Sequence, residues 1–366
     1  MVTFTYLFLG LLVSITIYIS HIFVIFTTSD ILERKNKIIP KQLYISLLKY
    51  LLSYLVIFIF FWLTSTTLYS LIYLIGFVYL GFFIYVLISC FIYKIIIKFT
   101  KLSKLTSEII IFIIPLIITI YSLFHAQKMN FIEETLYYPN FNNTIKIIHL
   151  SDLHLGAIYQ IKSVEKLVNI IIEKKPDIVV ITGDLPDGSL KVENEWLKPF
   201  NYIPQGIPIL YITGNHENLY GKSEILEEIN KIDNIKHIGN TVINIKGIYF
   251  IGIDYEYKDV KSQSKKLLNS IKNYNNYPTI LLYHVPKITP KELNEIGIFL
   301  MLAGHTHGGQ FFPFTVFSWL YNTCFCGLYN YNDKSYIFVS TGIGTALPPM
   351  RFLSDKMIGI INIKGK

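Results

Sequence analysis

The stretch Lys146-Ile-Ile-His-Leu-Ser-Asp-Leu-His-Leu-Gly156 decides how the C-terminal part of the chain is read. Lys146–Leu150 is a short apolar run without helical period, as expected of a strand buried on both faces. It stops at Asp152 and His154, two side chains with metal-donor atoms one residue apart. The arrangement recurs. Ile178–Thr182 runs into Gly-Asp184-Leu-Pro-Asp187-Gly, and Pro208–Thr213 into Gly-Asn215-His216-Glu217. Thr279–Tyr283 ends in His284-Val-Pro, and Phe299–Ala303 in Gly-His305-Thr-His307-Gly-Gly. Tyr249–Ile253, Tyr336–Ser340 and Met357–Ile363 also read as buried strands, with Ser163–Lys174 and Lys222–Lys231 as amphipathic helices between strands. Strands alternating with helices predict an α/β layer architecture. In such folds, groups from successive strand ends gather at one edge of the sheet.

The donor chemistry is specific. Asp152, His154, Asp184, Asn215, His284, His305 and His307 offer seven oxygen or nitrogen donors and no cysteine, enough for two divalent cations. Imidazole mixed with carboxylate suits Mn, Fe, Zn, Co or Ni better than Ca or Mg. Taken singly, each motif has an ordinary explanation: Gly-Asp is a common turn, Asn215 could cap a helix, and His284 could be a satisfied core histidine. Five such motifs, each behind a strand, exceed that explanation.

These residues carry a resemblance. Ser-Asp152-x-His154, Gly-Asp184-x-x-Asp187, Gly-Asn215-His216-Glu217, His284 and Gly-His305-x-His307 resemble the calcineurin-like metallophosphoesterase superfamily. The wording His-Thr-His-Gly-Gly-Gln310, Val-Ser-Thr-Gly-Ile-Gly344 and Pro-Pro-Met-Arg351-Phe is similar to its bacterial branch of exported, membrane-associated phosphoesterases. The resemblance spans about Ile145 to Lys364 and implies a two-sheet αββα sandwich hydrolysing phosphomonoesters or phosphodiesters through a metal-bridging hydroxide. It implies two divalent metals, Mn, Fe or Zn foremost: Asp152, His154, Asp184 and His307 around one, and the bridging Asp184 with Asn215, His284 and His305 around the other. His216 would be the catalytic acid and Asp187 the carboxylate that orients it. Gly188 follows Asp187 where protein phosphatases of the superfamily carry an arginine, which argues against a phosphoprotein substrate.

The rest of the chain faces something other than water. Of 366 residues, 52% are hydrophobic and only 16% charged, against about 25% charged in an average soluble domain. Four apolar runs precede His125: Phe4–Phe26, Leu43–Leu63, Leu71–Tyr93 and Ile109–Phe124. About 20 apolar residues cross a bilayer; the fourth run is the marginal one, short and interrupted by Pro115, although Leu105–Phe124 reaches the length. The basic excess lies between these runs, in Thr27–Gln42 and Lys94–Lys104, so topology explains the net charge of +8 and no nucleic-acid partner is expected. Basic loops stay cytoplasmic. Four crossings therefore predict a multi-pass protein of the cell (inner, cytoplasmic) membrane whose catalytic domain lies outside the cytoplasm.

The expected organisation is a membrane domain over residues 1–125, a polar linker over 126–144 and a metallophosphoesterase domain over 145–366. The apolar stretch Phe311–Leu320 directly after His307 is read either as packing over the sheet edge or as a wall for the bilayer or a lipid-like substrate. Three cysteines cannot form a disulfide framework, and Cys324 and Cys326 read as packing, since a C-x-C disulfide is a strained small ring and two thiols make a poor metal site. Two other functions stay open on sequence alone. One is a pyrophosphatase of a nucleotide-linked lipid, which requires a cytoplasmic catalytic domain; the other is a membrane scaffold or sensor without activity.

Overall fold

The strand β2 (Thr144–Leu150) carries Ile147 and Ile148 side by side, and the pleat turns them into different cores. A computed structural model describes residue 24 and residues 66–366, apart from 257, 258 and 273. Around β2 a six-stranded sheet runs β1-β12-β2-β3-β4-β5, where β1 is Met129–Tyr138, β3 Ile178–Thr182, β4 Ile209–Ile212, β5 Ile235–His237 and β12 Lys356–Gly365. A second runs β10-β11-β9-β8-β7-β6, with β6 Thr241–Ile245, β7 Ile248–Gly252, β8 Thr279–Leu282, β9 Leu300–Ala303, β10 Gly327–Tyr331 and β11 Ser335–Val339. β2 to β5 are parallel in the first sheet, as are β7, β8, β9 and β11 in the second.

Alternation along the strands builds three apolar layers. Ile147, Val180 and Leu210 meet Phe250, Ile280 and Leu302 between the sheets. Ile148, Val179 and Ile181 face the other way, onto Val164, Leu167 and Ile171 of a long helix. Leu281, Met301 and Ile337 pack under Val260, Leu268, Leu293 and Ile296 of two helices on the far side. Helix, sheet, sheet, helix is the predicted sandwich.

The membrane half forms a separate unit ending at Tyr121. Helix α1 (Thr66–Ile96) and helix α2 (Lys104–His125) are both long and apolar enough to cross a membrane. The marginal fourth run is thus helical for 22 residues. It carries Pro115 behind one wide turn, Ile109–Ile113, whose looser spacing accommodates the hydrogen bond that proline cannot donate. The runs Phe4–Phe26 and Leu43–Leu63, and the basic loop between them, lie outside the described residues.

The other unit is Ser122–Lys366. Its helices are α3 (Ile161–Lys174), α4 (Asn215–Tyr220), α5 (Lys222–Ile229), α6 (Val260–Leu268), α7 (Pro290–Ile296) and α8 (Phe314–Tyr321), besides short turns. α7 shows why they stop where they do: Thr289 and Glu292 cap each other's backbone N–H, Pro290 opens the first turn, and Gly297 at φ 90° closes the last.

One expectation is corrected. The segment 126–144 is not a linker: Met129–Tyr138 pairs in parallel with β12 over ten residues, from Met129 opposite Lys356 to Tyr138 opposite Gly365. Its Asn130, Glu133 and Glu134 hide the strand from a search for apolar runs, because β1 is an edge with one side wet.

Candidate metal centre

Every predicted donor stands on a turn that leaves a strand at its C-terminal end. Asp152 and His154 follow β2, Asp184 follows β3, and Asn215 and His216 open α4 after β4. From the other sheet, His284 follows β8, and His305 and His307 follow β9. The turns are tight. Asp152, His154, Asp184, His305 and His307 take left-handed backbone, with φ of 52°, 49°, 52°, 72° and 51°. Each such residue costs on the order of 1–3 kcal/mol and persists only where its surroundings fix it. A Cβ on Gly304 would fall 1.9 Å from Ser151 Oγ and 2.3 Å from Asp152 Oδ2, so glycine is required for these two loops to meet.

The seven predicted donors form two neighbouring clusters, overlapped by a third, of His154, Asp184 and His216. Asp152, His154 and His307 make one: His154 Nε2 lies 3.0 Å from His307 Nε2, itself 3.4 Å from Asp152 Oδ1. Asp184, His284 and His305 make the other, with His284 Nε2 3.2 Å from Asp184 Oδ2. Asn215 Oδ1 joins it, 2.9 Å from His305 Nδ1 and 3.2 Å from His284 Nε2. Asp184 touches both, since its Oδ2 is also 3.9 Å from His154 Nε2. His284 Nδ1 donates to the Thr182 carbonyl at 2.7 Å, which leaves Nε2 for the centre.

Electrostatics match this geometry. Burial lowers His154 to about 3 and His305 to about 4, and pushes His307 down as well, so these imidazoles are neutral with lone pairs available. Burial also raises Asp152 to about 6, opposed by His284. Asp184 is held low against desolvation, chiefly by His284. Desolvation would lower His284, but Asp184 and Asp152 carry it up to about 10. The two carboxylates thus favour positive charge at their centre, the charge that a divalent cation would bring. The Nδ1 atoms of His154 and His307 are buried without a hydrogen-bond partner among the described residues. Converging neutral imidazoles, buried carboxylates and an amide oxygen fit two divalent cations.

His216 stands at the rim. Its Nδ1 lies 3.0 Å from the Asp187 carbonyl, which can only accept, so Nδ1 carries the proton. Its Nε2 faces the centre, 4.0 Å from Asp184 Oδ2. Here the structure departs from expectation. The Asp187 carboxylate does not reach His216; Oδ1 accepts from the Ser189 backbone N–H and hydroxyl, both at 2.6 Å. The main chain of Asp187 does the orienting.

Two residues escaped the sequence reading. Glu217 is fully buried and accepts four bonds: from the N–H groups of Asp184, Leu185 and Gly214, and from the Tyr211 hydroxyl. It ties the β3 turn to the β4 turn, and its position two residues after Asn215 was the available signal. Arg351, also fully buried, donates to the carbonyls of His307, Thr341, Gly342, Gly344 and Asp355, while Ser354 Oγ donates to the His307 carbonyl at 2.7 Å. It holds the His307 loop by its backbone, a role that no donor-counting reading would find. The apolar stretch after His307 folds as α8, which buries Thr315 but leaves Phe317 60%, Trp319 63% and Leu320 66% exposed. Ser318 Oγ lies 3.4 Å from the Thr306 carbonyl, so α8 sits on the His305–His307 loop. Cys324 is core packing, and burial pushes its thiol up to about 11.

Residues 145–309 match the calcineurin-like phosphoesterase family. The chain is 33% identical over 236 residues to an uncharacterized metallophosphoesterase of Helicobacter pylori (strain ATCC 700392 / 26695), covering 64% of each. It is 30% identical over 240 residues to the zebrafish (Danio rerio) transmembrane protein with metallophosphoesterase domain, covering 62% of this chain and 54% of that protein. It therefore spans less than two thirds of these relatives' own length. An uncharacterized metallophosphoesterase of Aquifex aeolicus (strain VF5) is 32% identical over 234 residues, 61% of this chain and 86% of its own. With that coverage added to the paired donor clusters and the two-sheet sandwich, the chain belongs to the calcineurin-like phosphoesterase family, whose members bind two divalent metals.

Proposed function

We propose that the chain is a membrane-anchored dimetal phosphoesterase acting on phosphoesters that carry a lipid or other apolar group. The observation that carries the enzymatic part is the convergence of neutral imidazoles and buried carboxylates beside His216, which has one nitrogen fixed and the other facing the centre. We assign Asp152, His154, Asp184 and His307 to one cation, and Asp184, Asn215, His284 and His305 to the other. Cations so held would draw off phosphoryl charge and lower the pKa of water. His216 Nε2 would give a proton to the leaving oxygen, or bond a phosphoryl oxygen as charge builds there. Asp187 keeps Nδ1 protonated through its carbonyl, so the Nε2 side is the one that exchanges.

The lipid part is supported by α8. Its exposed Phe317, Trp319 and Leu320 stand on the loop that bears His305 and His307, and aromatic residues of this kind favour the membrane interface. Four lysines from the last turn of α1 to the first residue of α2, Lys94, Lys98, Lys101 and Lys104, support a cytoplasmic loop and an extracytoplasmic catalytic unit.

The test pairs elemental analysis with hydrolysis of aryl phosphomonoesters and phosphodiesters by the full chain supplied with Mn or Zn. Two metals per chain and turnover of either ester support the reading. Metal-free protein, or metal-bound protein inert to both, defeats it. An alkaline phosphatase fusion after Gln127 should be active; a silent one places the unit in the cytoplasm, where a nucleotide-linked lipid becomes the better substrate.

A further inference from the structure

Away from the metal centre, β12 opens with a lysine in an unusual place. Lys356 is 5% exposed, pairs in register with Met129 at the start of β1, and lays its Nζ 4.6 Å from the centre of the Tyr159 ring. Among the described residues no carboxylate or hydrogen-bond acceptor reaches that Nζ. A cavity of about 80 Å³ lies against it, lined on its polar side by Gln127, Tyr159, Ser163, Lys166 and Lys356. One water needs only roughly 10–15 Å³, so the space takes a group larger than water. Leu153, between Asp152 and His154 in the chain, lines it too.

The charges are all of one sign. Arg351 and Lys166 are the charged neighbours of Lys356, and burial together with their repulsion pushes its ammonium down to about 7. Arg351 spends its own hydrogen bonds on carbonyls. A buried cation is normally paired. Here two lysines, the Ser163 hydroxyl and the Gln127 amide line one hollow, and nothing described in it is negative.

We infer that this cavity is a binding site for a phosphate-type oxyanion, separate from the metal centre, with Lys356 as its principal contact. The oxyanion is either free inorganic phosphate or the headgroup of an anionic lipid. Gln127, two residues beyond the end of α2, lines the cavity and makes the second source accessible to a chain anchored in a bilayer. Because Leu153 also lines the cavity, occupancy bears on the loop that carries Asp152 and His154. The inference does not depend on the reaction proposed above.

Phosphate also binds a dimetal centre, so the test is run in the Asp184→Asn background. Full-length protein in phosphatidylcholine nanodiscs is melted with rising inorganic phosphate, and separately in nanodiscs containing phosphatidic acid. Asp184→Asn should gain a few degrees in Tm with one of the two probes. Adding Lys356→Met should abolish that gain while leaving the unliganded Tm equal or higher, since an uncompensated buried charge is removed. A gain with inorganic phosphate identifies a free oxyanion; a gain with phosphatidic acid alone identifies a lipid headgroup. No Lys356-dependent gain with either probe overturns the inference, as does an unliganded protein that Lys356→Met destabilises.

Discussion

The two donor clusters are built differently, although they share Asp184. In the half that holds His284, an outer hydrogen bond pins an imidazole: His284 Nδ1 donates to the Thr182 carbonyl. Around His154 and His307, the outer nitrogens have no partner among the described residues. There the backbone does the holding, through Arg351 and Ser354 on the His307 carbonyl, added to the left-handed φ that donors of both halves share. One half is positioned by its side chains and the other by its main chain. Rigid placement thus has two sources in one site, and they should fail in different ways.

The largest expected effect removes the residue common to both halves. Asp184→Asn loses a charge and a donor oxygen at the junction, so metal content should fall at both positions and activity should drop by more than the loss of a general acid. His216→Ala supplies that reference: kcat should fall about 10²–10⁴-fold with metal content unchanged. Elemental analysis of the two variants separates the roles. If His216→Ala also loses metal, the His154–Asp184–His216 group holds a cation and the division between centre and rim breaks.

That division was legible in the sequence only on one side of the backbone. Donors could be listed because carboxylate and imidazole announce themselves after a strand, whereas Glu217 and Arg351 act on N–H and carbonyl groups that no sequence pattern prints. Asp187 is the instructive case, for its side chain was expected to do what its carbonyl does. The strands divide in the same physical way. All eight predicted strands are present, with ends that agree to within about two residues. The four that were missed, β1, β5, β6 and β10, are the four sheet edges. Central strands bury both faces and read as unbroken apolar runs; edge strands are partly wet and mix polar residues into the pattern.

His149 is a control for the donor histidines. It too is fully buried, but it lies behind the centre, with Nε2 2.8 Å from Thr182 Oγ1. Desolvation lowers it from 6.5 to about 3. The folded state holds it neutral while the unfolded chain takes a proton, so stability falls as pH drops from about 6.5 towards 3. The slope from one such group is at most about 1.4 kcal/mol per pH unit. His149→Gln keeps a partner for Thr182 without titrating there, so its denaturation midpoints should fall less steeply below pH 6.5 than those of the parent. Parallel curves would mean that His149 is not the source, leaving the donor histidines to explain the whole acid limb.

Metal removal sharpens the comparison itself. Outer hydrogen bonds to ligating histidines are worth roughly 10–100-fold in metal affinity. His284 has one and neither His154 nor His307 does, so a graded chelator titration should release two metals in separate steps about that far apart. His154→Ala should then keep the tighter metal, and His284→Ala should not. Release in a single step, or retention in the opposite order, would show that main-chain placement by Arg351 is as effective as side-chain anchoring.

The smallest effect concerns α8, outside both halves. Phe317 and Trp319 are more than half exposed, and an apolar ester group laid against them would gain about 25 cal/mol for each Å² buried. The gain is a binding term common to ground and transition states, so it should appear in KM and leave kcat alone. Short- and long-chain versions of one phosphoester, compared below their micelle concentrations, should differ several-fold in kcat/KM with the parent enzyme. In Phe317→Ser and Trp319→Ser the short-chain value should stand and the long-chain advantage should shrink, because the metals and His216 act on phosphorus alone. Equal values for both chain lengths in the parent would make α8 a surface helix with no part in recognition. A fall in kcat for the short-chain ester in the α8 variants would point elsewhere. It would mean that α8 steadies the His305–His307 loop beneath it, and the main-chain mode of support would extend to the second cluster as well.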